Sequence, residues 1–211
     1  LAKKKNKLPK VLIPVHFSGL SCDMSAIKKL SDEYGFFIIE DACHALGGDY
    51  EENKIGSCSL SDLAVFSFHP VKSITTGEGG VVMTNSPSLA EKMMILRTHG
   101  ITKDPKSMIT KEKEGPWYYE QIALGHNYRM TDIQAALGSS QLKRLDKFIE
   151  KRNLIANEYN DLLKNLPLEL PLIAPGYYSA FHIYVIRLNL DMISRSRLEI
   201  FEDVLADGIG I

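Results

Sequence analysis

The sequence predicts an α/β fold, a mostly parallel sheet flanked by helices. Two observations carry that reading. Near-continuous apolar runs such as Phe36-Phe37-Ile38-Ile39 recur along the chain, as strands buried on both faces require. Between them lie segments with apolar residues at helical spacing. Strands alternating with helices build a parallel sheet covered on both sides.

The elements follow in order. Val11-Leu12-Ile13-Pro14-Val15 reads as a buried strand, with Pro14 marking its end. Asp23 to Tyr34 reads as a helix, because Met24, Ile27 and Leu30 share a face and Gly35 supplies a stop. Phe36 to Ile39 is the second strand and runs into Glu40-Asp41. Leu63 to Phe68 is the third and Gly80 to Thr84 the fourth. Ser86 to Thr98 is a helix with Leu89, Met93 and Leu96 on one face. Residues 103–120 are polar and irregular, a surface loop. Thr131-Asp132-Ile133-Gln134 fits a capping box that opens a long helix. Helical spacing persists to about Leu163, with a break near Leu145-Asp146. Its stripe of Leu145, Phe148, Ile155, Tyr159 and Leu162 is expected to be core. Leu166 to Ser179 holds three prolines and reads as a connector. His182 to Asn189 reads as a strand, and Ser194 to Ala206 as an amphipathic helix ending at Gly208. The first strand starts almost at residue 1 and the last helix leads into nothing, so the chain is expected to be a fragment of a longer one.

Composition narrows the function classes. The 211 residues are 45% hydrophobic and 24% charged, enough apolar material for a real core. A net charge of −1 does not favour nucleic acid or an anionic membrane as partner. The basic run Lys3-Lys4-Lys5-Asn6-Lys7 reads as a solvated segment. No stretch reaches the roughly 18 apolar residues of a membrane span. Three cysteines, Cys22, Cys43 and Cys58, without CxxC spacing point to a reducing compartment, the cytoplasm. Cys43-His44 lacks a second ligand cluster, so no metal site is expected.

The chemistry gathers at strand ends, where ligands of open α/β sheets bind. Asp41 closes the second strand, Ser67 the third, and Lys72 lies in the loop beyond, two residues after Pro70. An acid, a hydroxyl and an amine thus face one crevice. An amine condenses with an aldehyde, an acid holds a proton on a pyridine nitrogen, and a hydroxyl binds phosphate. These are demands of pyridoxal phosphate. The glycines of Gly77-Glu78-Gly79-Gly80 would let a flat cofactor approach the backbone.

Four blocks then carry a resemblance. They are Glu40-Asp41-Ala42-Cys43-His44-Ala45-Leu46-Gly47, the run Phe66-Ser67-Phe68-His69-Pro70-Val71-Lys72, the run Thr76-Gly77-Glu78-Gly79-Gly80, and Gly125-His126-Asn127-Tyr128-Arg129-Met130 with Asp132-Ile133-Gln134-Ala135-Ala136. In order and spacing they resemble the sugar aminotransferases of the fold type I pyridoxal-phosphate enzymes, over essentially the whole chain. Val15-His16-Phe17-Ser18-Gly19 with Ser21-Cys22-Asp23-Met24 is most similar to the branch that leads to pseudaminic acid.

The resemblance implies an enzyme that moves nitrogen from glutamate to a 4-keto sugar nucleotide, a UDP-4-keto-6-deoxy-N-acetylhexosamine, through pyridoxamine phosphate. Lys72 would form the Schiff base and shuttle protons. Asp41 would keep the pyridine nitrogen protonated. His44 would pack on the ring or bond its phenolic oxygen, and Ser67 would bind the phosphate. Asn127 would reach the phosphate of a neighbouring subunit in a homodimer with shared sites. Residues 1–145 would belong to the large cofactor-binding domain, and 146–211 to a linking helix and the start of a small C-terminal α/β domain. His69 and His182 are open between structural roles and direct contact. Two departures stand out: no phosphate-binding turn precedes the first strand, and the family continues beyond residue 211. A 3-keto or a GDP- or dTDP-sugar enzyme and a noncatalytic cofactor-binding module are the alternatives. A sugar dehydratase is disfavoured, because such relatives replace the lysine with histidine.

Overall fold

The computed structural model describes residues 7–110 and 115–210. The basic run is thereby outside the described residues except for Lys7, as are residues 111–114 of the polar loop. The central sheet has four strands: β1 (Val11–Leu12), β2 (Phe37–Asp41), and then, after a small hairpin of β3 (Asp49–Tyr50) and β4 (Asn53–Lys54), β5 (Leu63–Ser67) and β6 (Gly80–Met83). Their order is β1-β2-β5-β6. β1 and β5 run parallel to β2, whereas β6 runs antiparallel to β5. The sheet is thus mostly parallel, as expected. Pro14 ends β1 as predicted, and a single bridge from Val15 to Asp41 carries the alignment past it.

Between β1 and β2 runs α1 (Met24–Tyr34), capped by Asp23, whose carboxylate accepts from the Ala26 amide at 2.9 Å. Met24 packs with Phe36, Ile38 and Tyr50 into one core cluster. Helix α2 (Pro87–Leu96) follows β6, with Ser86 as its cap. The short pair β7 (Ile101–Thr102) and β8 (Glu120–Gln121) closes the polar loop. The capping box at Thr131 opens α3 (Asp132–Leu142), and α4 (Leu145–Leu163) begins at the expected break. The remaining elements are β9 (Leu168–Glu169), β10 (Tyr177–Tyr178), β11 (Arg187–Leu188) and α5 (Arg197–Ala206), whose Ser196 completes a second capping box. Among the described residues no helix is long and apolar enough to cross a membrane.

Three expectations need correction. The run from His182 to Asn189 is not one strand. Only Arg187–Leu188 pairs, with β9, because the Phe181 and His182 carbonyls accept from Arg152 and the Ile183 amide donates to Ser18. The connector before it is not strand-free: Leu168–Glu169 and Tyr177–Tyr178 both pair within it. The helical stripe is core only at its start. Leu145 and Ile149 are buried, but Tyr159 is 45% and Leu162 74% exposed. The helix turns Leu145, Ile149 and Ala156 inward instead.

The sheet is also less covered than expected. Ile38, Glu40, Ala64 and Phe66 are buried, whereas Phe37 on the alternate face is 61% exposed. Cross-strand partners share a face, so the pairings Ile39–Leu63 and Asp41–Val65 place Asp41 and Ser67 together on the less buried side.

Candidate active site

The lysine sits on a loop pinned at its neck. The Thr76 amide and the Thr75 hydroxyl both donate to the Phe68 carbonyl, closing residues 68–76 into a ring. Within it the Lys72 amide donates to the His69 carbonyl at 3.0 Å. Ile74 anchors the loop from below: it is 2% exposed and packs with Leu145, Ile149 and Ala180, flanked by Phe68. Helix α3 holds the far side, where Gln141 accepts from the Thr75 amide and Gln134 donates to the Glu78 carbonyl. Among the described residues the Lys72 ammonium has no hydrogen-bond or ion-pair partner.

Asp41 is held by main-chain bonds on both sides. Its amide donates to the Pro14 carbonyl at 2.9 Å, and its carbonyl accepts from the His16 amide at 3.0 Å. Its carboxylate accepts from the Cys43 amide at 3.2 Å, an Asx turn that starts the Ala42–Gly48 segment. Ser67 ends β5, and its hydroxyl accepts from the His69 amide at 3.3 Å.

Electrostatic coupling links the groups around Asp41 and Lys72. Burial pushes the Cys43 thiol up to about 11; Asp41 adds to this and Lys72 opposes it. Such a shift keeps the half-buried Cys43 thiol protonated at neutral pH. Burial lowers the His44 pKa, with Lys72 lowering it further and Asp41 opposing. Burial pushes His182 down to about 4, helped by His44, Lys72 and Arg152. Lys72 thus acts on Cys43, His44 and His182 alike, and Asp41 on the first two. The His44 ring lies 4.5 Å from that of His182 and 6.2 Å from that of Phe17.

Asn127 stands apart. It is exposed and lines a wide groove of about 1030 Å³ beside β6 and α2, with Met93, Arg97 and Tyr128 among its neighbours. None of Asp41, His44, Ser67 and Lys72 lines that groove. His69 is exposed, with its Nε2 3.9 Å from the Glu78 carboxylate.

The chain's own packing also constrains two of the glycines in this run. A Cβ at Gly80 would lie 2.7 Å from the Phe66 carbonyl oxygen, and one at Gly79 2.5 Å from the Thr76 hydroxyl. The chain's own packing demands glycine at both positions.

A buried network behind Asp41 escaped sequence reasoning. His16 is fully buried, and its Nε2 lies 2.8 Å from a Glu40 carboxylate oxygen. The Cys22 amide donates to His16 Nδ1, and Ser61 donates to the other Glu40 oxygen. An amide donor at Nδ1 leaves Nε2 to carry the proton toward Glu40. Glu40 lies between two apolar neighbours and Asp41, and that is its only sequence signal. The contact of His182 with His44 joins residues 138 positions apart and leaves no local signal at all.

A Methanocaldococcus jannaschii protein, MJ1066, of uncharacterized function, is 42% identical over 95% of this chain and 51% of its own length. A UDP-4-amino-4,6-dideoxy-N-acetyl-beta-L-altrosamine transaminase of Campylobacter jejuni is 40% identical over 93% of this chain and 49% of its own. Among solved structures, Helicobacter pylori PseC, an aminotransferase involved in the biosynthesis of pseudoaminic acid, superposes with a TM-score of 0.85. The identity is 33%, covering 99% of this chain and 53% of that one. The chain spans about half the length of the curated relatives it matches. The profile of the DegT/DnrJ/EryC1/StrS aminotransferase family matches residues 2–211, and with these relatives it shows that the chain belongs to that family.

Proposed function

We propose that the full-length protein moves an amino group from glutamate to a 4-keto sugar nucleotide, a UDP-4-keto-6-deoxy-N-acetylhexosamine, with pyridoxal phosphate as cofactor. One observation carries this reading. Among the described residues the Lys72 amine has no partner; it stands on a pinned loop and acts with Asp41 on both Cys43 and His44, while strand pairing sets Asp41 and Ser67 on one face. The residues present fit the cofactor. Among the described residues the buried Nδ1 atoms of His44 and His182 have no partner, which leaves unspent polar capacity near Lys72.

When bound, pyridoxal phosphate supplies an aldehyde that condenses with an amine and a pyridinium ring that withdraws electrons. Lys72 Nζ would offer the amine and serve as the proton carrier. The Asp41 carboxylate holds the ring-nitrogen proton by its charge. Ser67 Oγ would hold the phosphate, and His44 would pack on the ring or bond its phenolic oxygen. The position of Asn127 in a separate, outward groove supports its service to a partner's site in a homodimer. We place residues 1–145 in the large domain and 146–211 in the linking helix and the start of the small one. Three free cysteines fit a cytoplasmic setting.

Likeness to the C. jejuni UDP-4-amino-4,6-dideoxy-N-acetyl-beta-L-altrosamine transaminase supports a 4-keto UDP-sugar, rather than the alternatives, as the acceptor. The test uses the full-length protein loaded with pyridoxal phosphate. A visible band that borohydride abolishes, absent in Lys72→Ala, together with product from glutamate and a UDP-4-keto sugar, is the expected result. Turnover retained in Lys72→Ala refutes the assignment.

A further inference from the structure

The backbone around His182 is strained and tied on every side. Phe181 has φ of 40°, a left-handed conformation that a bulky residue rarely adopts. Such strain persists only where the surroundings over-determine it, and it gathers at functional sites. Here the Ser179 hydroxyl accepts from the Phe181 amide at 3.1 Å, and Asn153 donates to the Ser179 carbonyl at 2.9 Å. Arg152 donates to the carbonyls of both Phe181 and His182, at 3.0 and 3.3 Å. The Ala180 and Ile183 amides donate to the Gly19 and Ser18 carbonyls. Gly19 itself has φ of 108°. A Cβ there would lie 2.8 Å from the Phe181 nitrogen and 3.0 Å from the His44 carbonyl oxygen. Four distant segments therefore meet at this point.

The result of all this bonding is one ring placement. The His182 ring stands 4.5 Å from the His44 ring at 48°. Among the described residues neither Nδ1 has a partner, although both atoms are buried. A residue present only to fill space would not bring an unbonded nitrogen with it, since a leucine fills similar volume without that cost.

We propose that His182 is a positioning residue, which fixes the His44 ring at the angle needed to pack on the cofactor ring. This rests on the function proposed above. Phe17, 6.2 Å from His44, is the second ring against it, so His44 is set by neighbours from two other segments.

The test measures the dissociation constant of pyridoxal phosphate by absorbance titration of the full-length apoprotein. The proteins are the parent, His182→Ala, His182→Leu, His182→Phe, His44→Ala and the double alanine variant. Losing one aromatic contact should weaken binding about two- to twelvefold in His182→Ala. His182→Leu, which fills the volume without a ring, should lose a similar factor even if the alanine variant fails to fold. His182→Phe should return to within about twofold of the parent, because the ring contact is restored. If His182 acts through His44, the double variant loses no more than His44→Ala alone. Additive losses, parental affinity in His182→Leu, or failure of phenylalanine to rescue would each overturn the inference. A parent that does not bind pyridoxal phosphate overturns the proposed function and this inference together. A parent that binds, with variants that do not differ from it, overturns this inference alone.

Discussion

Replacing Ile74 by alanine should separate the anchoring of the lysine loop from general stability. Ile74 is 2% exposed and packs against Leu145, Ile149 and Ala180 beneath the loop that carries Lys72. The change removes three carbons, worth about 0.8 kcal/mol each, or about 2.4 kcal/mol of lost transfer free energy. A partly collapsed cavity adds about 1 kcal/mol, so the expected cost is about 3 to 4 kcal/mol, inside the range seen for buried Ile→Ala. Ile38→Ala is the control: it is 1% exposed but belongs to the cluster with Met24, Phe36 and Tyr50, under β2 rather than under the loop. Urea unfolding and pyridoxal phosphate titration of the full-length variants read the two effects. Both substitutions should lower the unfolding midpoint by similar amounts. Only Ile74→Ala should also weaken cofactor binding, because only that site frees the Lys72 loop. Equal cofactor affinity in the two variants, or a cost under about 1 kcal/mol for Ile74→Ala, would refute the reasoning.

Asp41→Asn should keep the fold, since the main-chain bonds at Asp41 remain, but lose most of the transfer rate; steady-state turnover at the parent rate would make the acid merely structural. A mixed dimer of Lys72→Ala and Asn127→Ala chains should regain about half of the parent activity, because one site carries both defects and the other neither. Absence of rescue would assign Asn127 to its own subunit. His182 also predicts a pH effect. Its pKa is about 4 in the fold against an ordinary 6.5, so the unfolded chain takes up the proton first as pH falls. Its contribution to stability is present above about pH 6.5 and lost toward pH 4. The urea midpoint of the parent should therefore fall more steeply over that interval than that of His182→Phe.

Much of this protein is legible in its sequence. The capping residues Asp23, Ser86 and Thr131, the break before Leu145 and the end of β1 at Pro14 are local matters, decided by hydrogen bonds within a few residues. The placement of Asp41 and Ser67 at strand ends, with Lys72 in the loop beyond, was legible because they follow apolar runs. Tertiary structure decided the rest. An apolar run carries no direction, so the antiparallel setting of β6 emerged only from its pairing with β5. The same is true of Ile183, Tyr184 and Val185, whose strand-like composition yielded to Arg152 and Ser18 as hydrogen-bond partners for the adjacent backbone. The pairing of His16 with Glu40 and the contact of His182 with His44 depend on chain segments far apart in sequence. A buried polar group must find a partner, but its chemistry specifies only the kind of partner, and folding alone brings a particular one within reach.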